Sequence, residues 1–321
     1  MTETFADTAR VDACGGHIYS VDTHYVRPGL DASHIMVAGD EVAFVDTGVN
    51  SSVPGLLAAL SQLKLAPEAV RYVFLTHIHL DHAGGAGLLM KALPNAELVV
   101  HPRGSWHMAS PAKLVAGATA VYGEERFRAL YGEIEPVPKS RLKIPKDGDI
   151  ITLGGRSLEV IYTEGHARHH YCLWHPDAGG IFTGDSFGIS YRVFDSANGA
   201  LVFPTTTPVH FDPEAAHASV DRIVDTGARF AILTHYSRVD GLPSLAKQLH
   251  RDLDAFVDIA LSHEHADDDV MERALMAYLV QRVDDHGVSI APSLRDEWLA
   301  MDVKLNVQGL RHWLATRPTE A

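Results

Sequence analysis

The chain has 321 residues, 46% of them hydrophobic, enough apolar material for one large buried core or for a core domain with an extension. Its 27 Lys and Arg stand against 41 Asp and Glu, a formal charge of −14, and so acidic a surface repels phosphate backbones and argues against a nucleic-acid partner. Two cysteines, Cys14 and Cys172, are too few for a disulfide framework and read as small buried thiols, and no run approaches the roughly 18 apolar residues of a membrane span.

In chain order, residues 18–24, 34–38 and 42–46 read as successive strands, with Gly39-Asp40 as a hairpin turn between the last two. Residues 52–63 place Leu56, Leu57, Leu60 and Leu63 at helical spacing. The apolar Val73-Phe74-Leu75 then runs into Thr76-His77-Ile78-His79-Leu80-Asp81-His82, and residues 84–93 read as a helix ended by Pro94. From 101 to 139 strand character gives way to short helical pieces around Trp106, Tyr122, Phe127 and Tyr131, which form either a pocket wall or a surface subdomain with its own small core. Residues 149–153 and 158–162 flank Gly154-Gly155 as a hairpin, and Ile181-Phe182-Thr183 is a strand that delivers Asp185. Beyond Asp240 the texture is helical. One helix carries Leu245, Leu249, Leu253, Phe256, Val257 and Leu261, a second carries Met271, Leu275, Tyr278 and Leu279, and shorter ones hold Leu294, Trp298 and Met301, then Leu310, Trp313 and Leu314. These stripes read as core, and Asp267-Asp268-Asp269 as a solvated helix start.

Three imidazoles and a carboxylate within six positions, His77, His79, Asp81 and His82, read as a metal site. A strand of period two puts His77 and His79 on one face, and a following turn swings Asp81 and His82 toward a second ion. Three further candidates each follow an apolar segment long enough to be a buried strand: His166, Asp185 and His235. Five histidines and two aspartates exceed the three or four protein groups that one catalytic ion takes, so two ions fit better. Two divalent transition-metal ions are therefore expected, zinc first, with iron or manganese also suited to imidazole and carboxylate.

The order His-x-His-x-Asp-His, Gly-His, Thr-Gly-Asp and Thr-His, preceded by Phe44-Val45-Asp46-Thr47-Gly48, resembles the metallo-β-lactamase superfamily over residues from about 17 to 240. The resemblance implies an α+β fold, an αββα sandwich with a dinuclear centre between its sheets, occupying residues 1–240, with a helical extension at 241–321. It assigns His77, His79 and His166 to one metal, Asp81, His82 and His235 to the other, and Asp185 to a bridge. Asp46 resembles a carboxylate that orients a ligand imidazole, and His170 takes the place of a frequent histidine four residues after a ligand. His79 is similar to the hydrolase branch, since flavin-linked diiron reductases usually carry glutamate there. The stretch Gly165-His166-Ala167-Arg168-His169-His170, the segment 100–111 and the closing 304–310 resemble a bacterial and archaeal subgroup of metallo-hydrolases, some described as diiron proteins. Arg168 departs from the more usual proline.

The leading expectation is a hydrolase acting through a metal-bridging hydroxide on a small ester, lactone, thioester or phosphodiester, with Asp81 holding or accepting a proton. A diiron redox or oxygen-binding protein and a metal-stabilised binding or sensory module are the alternatives. A thioesterase similar to glyoxalase II requires cations for a glutathione moiety, and Lys247, Arg251, Arg273 and Lys304 are candidates. Tyr171 and Tyr191 each carry a hydroxyl but receive no catalytic role. The expected partner is a small-molecule substrate, without nucleic acid or membrane. With no signal-length apolar run after Met1 a cytoplasmic location is expected, and the apolar stripes of the C-terminal helices are expected to pack on the sandwich and contribute to a homodimer.

Overall fold

Alternation of side chains along the strands sets the layering of the computed structural model, which describes residues 9–317. A seven-stranded sheet runs in the order β1 (Val11–Gly15), β2 (Ile18–Asp22), β3 (Ala32–Ala38), β4 (Glu41–Val45), β5 (Val70–Phe74), β6 (Glu97–Val99) and β7 (Leu142–Lys143). Its first four strands pair antiparallel and the rest parallel. A six-stranded sheet holds β8 (Ile150–Leu153), β9 (Arg156–Tyr162), β10 (Tyr171–His175), β11 (Gly180–Gly184), β12 (Phe230–Leu233) and β13 (Ser237–Asp240), in spatial order from β13 back to β8. The helices are α1 (Val53–Gln62), α2 (Leu80–Ala83), α3 (Ala86–Ala92), α4 (Pro102–Ala109), α5 (Ala112–Tyr122), α6 (Glu124–Tyr131), α7 (Pro213–Asp225), α8 (Leu242–Ser262), α9 (Asp268–Asp285) and α10 (Pro292–Thr316).

On β4, Ala43 and Val45 face the second sheet while Val42 and Phe44 face α1 and α3. On β12, Phe230 and Ile232 face the first sheet while Ala231 and Leu233 meet α7 and α8. Strands apolar on both faces must be covered on both, and the outcome is the expected αββα sandwich with a helical region at its C-terminal end. A fourth core joins α8, α9 and α10 to Tyr25, Leu30, Tyr131, Tyr191 and Phe203 from earlier loops and α6, so the C-terminal helices pack over one end of the sandwich.

Several sequence expectations are corrected. The strand expected from residue 34 begins at Ala32, the helix expected over 84–93 is α3, two residues later in its start, and a further short helix, α2, precedes it at Leu80–Ala83. β5 stops at Phe74, so His77 and His79 lie on the loop after the strand rather than on a strand face. The short helices expected around Leu294 and Leu310 are one 25-residue helix, α10. Its polar Asp302 and Asn306 do not mark a break; both are buried and hydrogen-bonded, Asp302 to the Tyr191 hydroxyl and Asn306 to the Thr206 backbone at 2.6 Å. Pro292 starts the helix in its first turn, where its missing N–H is harmless.

Candidate metal centre

Each candidate ligand lies where a strand gives way to a loop or short helix. His77 and His79 follow β5, Asp81 and His82 lie on α2, and His166, Asp185 and His235 follow β9, β11 and β12. Asp46, just beyond β4 and fully buried, ties these loops together. Its carboxylate accepts the Thr76 amide at 2.8 Å, the Thr76 hydroxyl at 2.8 Å, the Thr234 hydroxyl at 2.7 Å and the His82 Nδ1 proton at 2.9 Å. One side chain thus fixes a loop from each sheet and turns His82 Nε2 inward, the orienting role expected of it. His235 Nδ1 donates to the Leu30 carbonyl at 2.9 Å and His166 Nδ1 to the Thr205 carbonyl at 3.2 Å, which leaves both Nε2 atoms toward the centre.

The ligand atoms form three overlapping groups, in each of which every atom lies within 4.8 Å of the others: His77, His79 and His166; His77, His82 and Asp185; and Asp81, His82 and His235. Asp185 faces two ways. Its Oδ2 is 3.4 Å from His166 Nε2, and its Oδ1 is 3.3 Å from His82 Nε2 and 4.0 Å from His235 Nε2. Asp81 Oδ2 lies 3.4 Å from His235 Nε2 and 4.0 Å from His82 Nε2.

This cluster fits divalent metal ions. His77 Nε2, His82 Nε2 and Asp185 Oδ1 are buried without any hydrogen-bond partner, a costly arrangement unless something else satisfies them. Burial, reinforced by neighbouring imidazoles, holds His77 and His79 well below the usual histidine range, so they present unprotonated lone pairs. Burial works to raise Asp81 and Asp185, but His82 and His235 outweigh it for both, joined by His166 for Asp185, and the carboxylates stay ionised. His82 and His235 move up despite burial, because Asp185 with Asp46 or Asp81 demands positive charge there; His235 reaches about 10. A cation supplies that charge and releases the protons.

The sequence profile of the metallo-beta-lactamase superfamily matches residues 27–235. The chain belongs to that superfamily. It is 31% identical over 186 residues to the metallo-beta-lactamase fold-containing protein ST1585 of Sulfurisphaera tokodaii, spanning 57% of this chain and 64% of that protein. It is 29% identical over 186 residues to the acyl-coenzyme A thioesterase MBLAC2 of Homo sapiens, spanning 53% and 63%, and 27% identical over 194 residues to a hydroxyacylglutathione hydrolase of Maricaulis maris, spanning 60% and 61%. The chain therefore covers less than two thirds of the length of each relative. The crystal structure of ST1585 superposes with a TM-score of 0.66 at 23% identity over 94% of this chain and 99% of that one. The metallo-beta-lactamase family protein TTHA1429 from Thermus thermophilus gives 0.66 at 20% identity over 95% and 94%. Both likenesses concern the fold.

Within this superfamily scaffold, His170 supports the centre without joining the ligand groups. Its Nδ1 meets the Thr163 hydroxyl at 2.8 Å and the Ser186 hydroxyl at 3.0 Å, and its Nε2 accepts the Asp185 amide at 3.2 Å. Gly184 makes that contact possible: at φ +46° a Cβ there would lie 2.6 Å from both His170 Nε2 and Thr76 Oγ1. Tyr171 donates to the Val99 carbonyl between the sheets, and Cys172 is a buried thiol pushed up to about 12 by burial, so neither reaches the centre. His101 lies against Tyr162 with the rings tilted by 52° and caps α4, accepting the Arg103 amide.

The centre opens into a cavity of about 340 Å³. Its lining combines His79, Asp81, Asp185 and His235 with residues of α5, with Tyr131, and with Met301, Asp302 and Leu305 of α10. Segment 101–139 therefore supplies a pocket wall. Lys247, Arg251, Arg273 and Lys304, the cations considered for a glutathione moiety, are exposed and absent from the lining, where Lys113 is the lysine present. Sequence reasoning missed Lys113, His169, His210 and Asp302 as lining residues. For Asp302 a signal existed: a carboxylate in register with the buried stripe of Leu299, Val303 and Leu310.

Proposed function

We propose that this chain is a dinuclear metal-dependent hydrolase of carboxylic esters, lactones or thioesters. The observation that carries the reading is Asp185, whose two oxygens face two separate histidine groups at the polar end of a substrate-sized cavity. Bound in pairs, zinc, iron or manganese ions supply a nucleophilic water at neutral pH and polarise a carbonyl oxygen. In this reading His77, His79 and His166 hold one ion, Asp81, His82 and His235 the other, and Asp185 is shared.

Asp81 differs from Asp185 in being partly open, at 24% side-chain exposure against 5%. A carboxylate at the cavity edge can orient an attacking water and accept its proton while one oxygen stays on the ligand set. The thioesterase and hydroxyacylglutathione hydrolase names of two relatives support acyl transfer to water.

The test is Asp81→Asn assayed on a panel of esters, lactones and thioesters, with metal content measured on the same sample. Loss of a water-orienting or proton-accepting carboxylate lowers the rate by roughly 10²–10⁴-fold. Wild-type turnover in a variant that keeps both metals would make Asp81 structural. Wild type that hydrolyses nothing on the panel but binds oxygen through iron would transfer the site to redox chemistry.

A further inference from the structure

We propose that the cavity between α5 and α10 is an acyl-chain site, and that Gly117 sets how long a chain it accepts. The inference rests on the acyl hydrolase reading above and gives that reading a substrate class.

Helix α5 is composed almost wholly of apolar and small residues, Ala-Lys-Leu-Val-Ala-Gly-Ala-Thr-Ala-Val-Tyr, yet none of its side chains is buried. A helix of that composition ordinarily covers its apolar stripe against a core. Here Leu114 and Ala118 pack only partly buried against the core shared with the C-terminal helices, and with Val121, spaced i, i+4 and i+7, they also line the cavity, where Val121 is left 40% exposed. Met301 and Leu305, one turn apart on α10, line the same space. The cavity is thus a mainly apolar shaft, with His107, Lys113 and Thr207 also in its lining, that takes in His79, Asp81, Asp185 and His235. A ligand matching both ends has a hydrolysable carbonyl and an unbranched hydrocarbon chain behind it.

Gly117 lies on the same wall, in the interior of α5. Glycine is the least favourable residue for a helix interior short of proline. No local demand accounts for it: a Cβ added there meets nothing within 4 Å, and the backbone is not in the left-handed region. Gly117 is exposed within the lining, and what its missing side chain provides is room along that wall of the shaft. In the reaction, the oxygen of water bonds to the acyl carbon and the bond to the ester oxygen or thioester sulfur breaks. Its electron pair leaves on that atom, which takes up a proton, and the acyl chain stays in the shaft as a carboxylate.

The experiment compares acetyl, butyryl and octanoyl esters of one alcohol on the metal-replete full chain and on Gly117→Leu, a change that favours the helix. Each methylene buried in an apolar site is worth about fourfold in kcat/KM, so wild type should prefer octanoyl strongly. Gly117→Leu should lower the octanoyl-to-acetyl preference tenfold or more at unchanged metal content. Calorimetry of octanoate against acetate binding supplies a readout that needs no turnover. A flat chain-length profile in a protein that hydrolyses the acetyl ester overturns the acyl site and leaves the hydrolase reading standing. Octanoate bound in preference to acetate, and lost in Gly117→Leu, supports the acyl site even where no ester is hydrolysed, an outcome that sinks only the hydrolase reading. Octanoate bound equally by both proteins overturns the role of Gly117.

Discussion

Asp185 and Asp302 are two buried carboxylates with opposite electrostatics. Asp185 faces three imidazoles and stays ionised; Asp302 faces a tyrosine hydroxyl, and burial pushes it up to about 7. Asp185→Ala should strip metal from both positions, whereas His235→Ala should chiefly lower one, and metal analysis of replete protein should fall from about two ions per chain accordingly. Equal losses in the two variants would contradict a shared Asp185. For Asp302 the folded chain holds a proton that the unfolded chain releases, so its stabilising contribution is complete at low pH and fades as pH rises toward about 7. Asp302→Asn keeps an acceptor for Tyr191 and removes this dependence. The melting temperature of the variant relative to wild type should therefore climb between about pH 5 and about pH 8; parallel curves would show that Asp302 does not titrate with folding. All seven ligand candidates were legible because polar residues directly after apolar strands need a reason to be there. Asp302 was passed over although it falls in register with Leu299 and Val303, because a lone carboxylate is read as solvated until its partner, the Tyr191 hydroxyl, is known.

At the level of elements, the loop from β11 is held by what stands behind it. His170 grips the Asp185 amide and Gly184 lets the chain pass close to Thr76, so His170→Ala should weaken metal binding by roughly 10–100-fold, the usual effect of losing an outer partner of a ligand. Equilibrium competition with a chelator reads this directly, and an unchanged affinity would reduce His170 to packing. Continuous apolar runs exposed β4, β5, β9 and β11 in the sequence, because strands covered on both faces have little polar side to alternate with. The hairpin partner β1 escaped notice, as did β6 and β7, which at three and two residues are too short to show a pattern. For α10, the polar Asp302 and Asn306 hid the continuity of the helix, since their partners lie about a hundred residues earlier in the chain.

Across the whole molecule, the ligands come from loops of both sheets, and the C-terminal helices close over them. Removing residues 241–321 should uncover the core that α8, α9 and α10 share with Tyr25, Tyr131 and Phe203, and so yield insoluble protein. A soluble, monomeric truncation that keeps its metals would show the extension to be an independent module. Chelation should lower the melting temperature, because ions held by candidate ligands from both sheets would bind only the folded chain; ions present at 100 times their Kd would contribute about 2.7 kcal/mol. An unshifted melt on complete metal removal would mean that the centre is rigid without them. The proposed ligands all fall inside the span shared with the superfamily, residues 27–235, whereas α10, one wall of the cavity, falls outside it. Substrate choice is therefore divided along the gene: the α5 wall with Gly117 shares the superfamily's span, whereas drift along α10 can redraw the remaining lining while the candidate ligands stay as they are.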